Sequence, residues 1–181
     1  MSKDIRLEVK GIMLLKRMDN CGLVVLVGEH TQKQIGVPCT KAELGQIERL
    51  LDAPEQSKHT LPYVLWGVLT DNTADHFELR IVGVSQGSYN CILLNADQQR
   101  MYPLKASEAI ILSLIAHLPI YITAYLFGRQ AVERRQGGDQ MALPVNILSD
   151  EMLHQALDRA VAREDYELAS AIKEELAQRK E

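Results

Sequence analysis

The chain has 181 residues, of which 46% are hydrophobic and 24% charged, with a formal net charge of −4. That is enough apolar material for one ordinary core. The acid excess excludes a broadly basic, nucleic-acid-gripping surface, though not a local basic pocket.

The charge is unevenly spread. Residues 1–134 hold 14 basic and 14 acidic side chains, whereas residues 135–181 hold 6 basic and 10 acidic. A neutral body is therefore followed by an acidic tail.

In chain order, residues 5–15 alternate as a strand. The turn residues "RMDNCG" separate them from an apolar run at 23–27, so the pair reads as a hairpin. "KQIGVP" is a short third strand. "TKAELGQIERLLD" predicts a helix in which Thr40 is the N-cap, Glu43 sits at the capping-box position, and Leu44, Ile47, Leu50 and Leu51 form the buried face. "APEQSKHT" is loop. "LPYVLWGVLTDN" predicts a helix with Pro62 in its first turn, a strand being the alternative. Its Tyr63 and Trp66 lie one turn apart among aliphatic residues and read as core rather than as a base-stacking pair.

Strands follow at 77–84, 89–94 and 100–104, with turns at Gly87-Ser88 and 95–98. "KASEAIILSLIAHL" is a helix, "PIYIT" a last strand and "AYLFGRQAVERR" a terminal helix. The end of that helix carries the basic cluster Arg129, Arg134 and Arg135, read as a solvated helix end. This order predicts an α+β fold, a mainly antiparallel sheet with packed helices, followed by a C-terminal α-helical hairpin. No internal repeat or low-complexity tract is visible.

The body spans residues 1–134. A linker at 135–148 contains Gly137-Gly138 and Pro144, and the hairpin covers 149–181. In the hairpin, Leu153, Ala156, Leu157, Ala160 and Val161 recur at helical spacing, as do Tyr166, Ala169, Ile172 and Leu176. Arg163-Glu164-Asp165 forms the turn, with Asp165 as cap of the second helix. Two such helices bury little alone, and so the hairpin seeks either a partner or its own body.

The apolar runs "AIILSLIA" and "PIYITAYLF" are too short to span a bilayer, and no secretory leader pattern opens the sequence. Cys21, Cys39 and Cys91 are widely spaced in apolar runs and read as reduced core thiols of a cytoplasmic protein. His30, His59, His76, His117 and His154 show no HxxxH spacing, and GxGxxG and GxxxxGK loops are absent.

The segment "LDRAVAREDYELASAIKEEL" resembles the UVR motif, a docking hairpin of the excision-repair subunits B and C. "IGVPCTKAELGQI" resembles the strand of the bifunctional nuclease family that ends in an Ile-Gly turn and opens a helix with a glutamate. "KASEAIILSLIAHLPIYI" is similar to that family's arginine, proline, serine, aspartate, alanine segment, its apolar helix and its "PIYV". Some bacterial members carry a C-terminal UVR motif, and the joint order is more specific than either match.

The resemblance implies DNA and RNA phosphodiester hydrolysis, with a divalent metal (Mg or Mn) or no cofactor. It implies Glu43, Ser107 and Glu108 as catalytic residues, Glu43 and Glu108 as metal ligands, and Lys105 as a phosphate contact. Leu153, Leu157, Tyr166, Ile172 and Leu176 would be the partner-docking residues of the hairpin.

The polar positions depart from the family pattern. Lys105 stands for the arginine, Ala106 for the proline and Glu108 for the aspartate. The family's threonine-histidine-aspartate cluster reads Thr60-Leu61-Pro62, and the Ile-Gly turn reads Cys39-Thr40. Each candidate also has a local role: Ser107 as an N-cap, Glu108 as a first-turn acid, Lys105 as a solvated cation and Glu43 as the capping-box partner. Two functions thus stay open. One is a nuclease. The other is a non-catalytic, homo-oligomeric adaptor whose hairpin docks a protein partner. Nucleic acid is admitted as a partner and a membrane is not.

Overall fold

The computed structural model describes residues 4–14, 21–71, 73–134 and 143–179. The fold is α+β. Three strands, β1 (Asp4–Leu14), β2 (Cys21–Gly28) and β3 (Lys33–Thr40), form an antiparallel meander that runs into helix α1 (Lys41–Asp52). A second meander of β4 (Phe77–Ser85), β5 (Ser88–Asn95) and β6 (Arg100–Lys105) runs into α3 (Ala106–Ala116). Between the two units lies α2 (Leu61–Asp71). The predicted turn before β2 lies largely outside the described residues. Its last two residues, Cys21 and Gly22, are already strand and pair with Thr40 and Cys39.

The strand order is β6-β5-β4-β7-β1-β2-β3-β8, with β7 at Ile120–Thr123 and β8 at Val132–Glu133. The two meanders therefore flank a central β7, which pairs antiparallel with β1 and parallel with β4. The first strand of each meander shifts register at a glycine, between Val9 and Gly11 in β1 and between Ile81 and Gly83 in β4. The topology is thus duplicated although no repeat is visible in the sequence. One consequence positions the site: the N-termini of α1 and α3 come together.

The core is built from Leu7, Val24, Leu26, Ile35 and Val37 of the first half and Leu79, Ile81, Tyr89 and Cys91 of the second. Ile47 of α1, Ile110 and Ile111 of α3, and Ile120 and Ile122 of β7 close it. The alternation of these strands and the i, i+3 spacing of the helices explain the inward faces.

Four expectations need correction. Leu51 is exposed, because Leu44, Ile47 and Leu50 already take the inward stripe of α1. Residues 54–59 wind into a 3-10 turn rather than an open loop. The last body helix, α4 (Ala124–Gln130), ends early. Ala131 adopts an extended conformation, and Val132–Glu133 pair with the open edge of β3. Arg134 therefore lies beyond a strand, and Arg135 falls outside the described residues. Finally, α2 buries no residue, although its composition reads as core. Only Tyr63 packs against the core, and Trp66 meets Phe77 edge-on at 5.3 Å.

The hairpin comprises α5 (Asp150–Ala162) and α6 (Tyr166–Gln178), with Asp165 accepting from the Leu168 amide as the sequence predicts. It is tied to the body. Ile147, at the end of the linker, is fully buried in the main core. Among the described residues no helix is long and apolar enough to cross a membrane.

Candidate functional site

Thr40 ends β3 in an extended conformation and caps α1. Its hydroxyl accepts from the Glu43 amide at 3.4 Å and donates to Glu43 Oε2 at 2.8 Å, while its own amide donates to that oxygen at 2.7 Å. This is the expected capping box. A further arm comes from across the molecule, where Ser107 donates its hydroxyl to Glu43 Oε1 at 2.7 Å.

Ser107 is not an N-cap. Lys105 holds that position without a side-chain cap, and Ser107 lies buried in the first turn of α3. Glu43 thus joins the starts of α1 and α3, and both its oxygens are engaged. Burial works to raise its pKa. The hydrogen bonds from Ser107 and from the amide and hydroxyl of Thr40, with the charge of Lys105, outweigh that and hold it below the usual carboxylate range.

Glu43, Lys105 and Ser107 line one cavity of about 710 Å³. Glu108 does not. It is exposed in the first turn of α3, one residue round the helix from Ser107, and so lies outside the constellation the resemblance implies. The opposite wall comes from the hairpin: Ser149, Glu151, Met152 and Gln155 at the start of α5. Cys21 stands at the same cavity, half-buried rather than in the core, and its pKa is raised by burial and by the Glu151 charge. Cys39 and Cys91 are buried, and burial pushes both thiols up to about 12, so neither is a nucleophile at neutral pH. No cysteine forms a disulfide among the described residues.

Of the two metal ligands the resemblance implies, Glu43 lies at this cavity and Glu108 does not, and among the described residues no group of three His, Cys, Asp or Glu is placed to hold an ion. Glu43 already accepts three hydrogen bonds through its two oxygens.

The hairpin's predicted docking residues divide. Leu153 and Ile172 are fully buried, and Leu157 and Leu176 are partly buried. A partner would reach the first two only if the hairpin opened. Val161 and Tyr166, placed by periodicity on the seam, are exposed.

What fastens the hairpin was not legible in the sequence. The guanidinium of Arg179, with only 6% of its side chain exposed, donates to the Leu148 carbonyl at 2.7 Å, Asp150 at 2.8 Å, Glu175 at 2.8 Å and the Asn146 carbonyl at 3.2 Å. Gly87, at φ +74°, turns beneath this knot, and a Cβ there would collide with the Leu148 carbonyl. A glycine between two strands is a detectable turn signal, but its contact with residues far along the chain is not.

The arrangement defines a class of molecule: an α+β body with a polar cleft between two helix starts, roofed by its own C-terminal hairpin. No model of a known protein family matches the chain, and no curated protein matches its sequence.

Proposed function

We propose that the protein is a divergent relative of the bifunctional nuclease family that works as a cytoplasmic, self-associating adaptor rather than as a phosphodiesterase. The observation that carries this reading is the state of Glu43. Both oxygens are hydrogen-bonded within the fold, its pKa is lowered, and it links α1 to α3. A general base works best with a pKa near the operating pH, and Glu43 is displaced in the opposite direction. The replaced threonine-histidine-aspartate cluster and the exposed position of Glu108 point the same way.

One observation favours hydrolysis as the second reading: Glu43, Lys105 and Ser107 do meet at a single cavity. There Lys105 would bind a phosphate oxygen and Ser107 would orient Glu43.

Cleavage of labelled single- and double-stranded DNA and RNA, with Mg²⁺ or Mn²⁺ added, separates the two. The adaptor reading expects no cleavage above that of a Glu43→Ala control. Parent activity that vanishes in a folded Glu43→Ala variant overturns it. The docking role of the hairpin belongs to the same proposal and now rests on its outer surface, with Tyr166 exposed and Leu153 and Ile172 committed inside.

A further inference from the structure

From Leu61 to Thr70 the chain carries no charged residue, and α2 is apolar on all sides. A helix of that kind is normally enclosed. Here Tyr63 and Trp66 face the body, while Leu61, Val64, Leu65, Val68 and Leu69 are between 40% and 69% exposed. Their spacing, i, i+3, i+4, i+7, i+8, makes one continuous outer stripe.

We propose that this stripe is a two-fold interface at which α2 packs antiparallel against α2 of a second copy of the chain. The inference rests on the self-association in the preceding reading and gives it a surface.

Two observations favour a second copy. The first is area. With Tyr102 beside it, the stripe exposes apolar surface on the order of 500 Å². A standard interface buries about 800 Å² per partner, about 65% of it apolar in homodimers, so the stripe supplies the apolar part of one such interface.

The second is charge. The stripe holds no charge to oppose its own image. An antiparallel pair opposes the helix dipoles favourably.

Beside the stripe, Val68, Leu69, Phe77, Leu93 and Tyr102 line a cleft of about 600 Å³ that would receive partner side chains.

Sedimentation equilibrium of the full chain, from about 1 to 100 µM, tests the proposal. The parent is expected to be a dimer. Leu65→Lys, shown to be folded by circular dichroism, is expected to weaken association at least about 100-fold. Val82→Lys, at an exposed position on β4 away from α2, is expected to leave association unchanged. A parent that stays monomeric sinks both the interface and the self-association it rests on, leaving the stripe to a different protein. A dimer that survives Leu65→Lys sinks the α2 interface alone. Should Leu65→Lys misfold, Val64→Ser supplies the same reading with a milder change.

Discussion

α2 and α3 are equally long, both rich in aliphatic residues, and lie beside one another. Their fates differ. α3 buries Ala106, Ser107, Ala109, Ile110, Ile111 and Ile115, whereas α2 buries none. α3 is enclosed by its own chain, and its one buried polar group, Ser107, finds a carboxylate. α2 is only half enclosed. Apolar composition therefore tells that a helix will be covered, and topology alone tells by what. In this molecule the central carboxylate of the cleft, Glu43, is hydrogen-bonded within the fold, whereas the outer face of α2 is left exposed.

The largest contrast should appear on truncation. Ile110→Ala leaves a cavity in a packed core and is expected to cost about 2–5 kcal/mol in urea unfolding. Leu65→Ala, measured in dilute solution, should stay within about 0.5 kcal/mol. Comparable losses at the two sites would remove the distinction between the helices.

Glu43→Gln is expected to cost about 1–3 kcal/mol at neutral pH by weakening its contacts to Ser107 and Thr40. The pH dependence sharpens the point. A carboxylate held below its ordinary value stabilises the fold above the unfolded pKa, about 4.3 for glutamate. That contribution falls away as pH drops through the folded value. Melting temperature followed from about pH 7 to pH 3 should fall more steeply in the parent than in Glu43→Gln. Parallel curves would separate Glu43 from the stability of the fold.

Gly87→Ala combines a strained positive φ with a collision at Leu148, and is expected to cost about 1–2 kcal/mol. Hydrogen exchange should quicken in α5 and α6 while β1–β3 keep their protection. The smallest effect is chemical. A thiol reagent near neutral pH should modify Cys21 in the native protein and leave Cys39 and Cys91 unmodified.

The sequence made the local features readable. Thr40 and Glu43 are three residues apart, and that spacing is itself the capping box. Asp165 is legible for the same reason. The Glu43–Ser107 contact joins residues 64 positions apart, and no periodicity reports on it. The insertion of β7 between β4 and β1 is equally silent, since "PIYIT" announces a strand but not its neighbours. The exposure of the outer stripe of α2 is silent as well, because apolar spacing does not distinguish a face covered by its own chain from one left open.

A double-mutant cycle on Glu43→Gln and Ser107→Ala, read by denaturant unfolding, tests most directly whether the cleft's central carboxylate serves the fold. A coupling of about 1 kcal/mol or more is expected. Costs that simply add, to within about 0.3–0.5 kcal/mol, would contradict the clamp and return Glu43 and Ser107 to the nuclease reading.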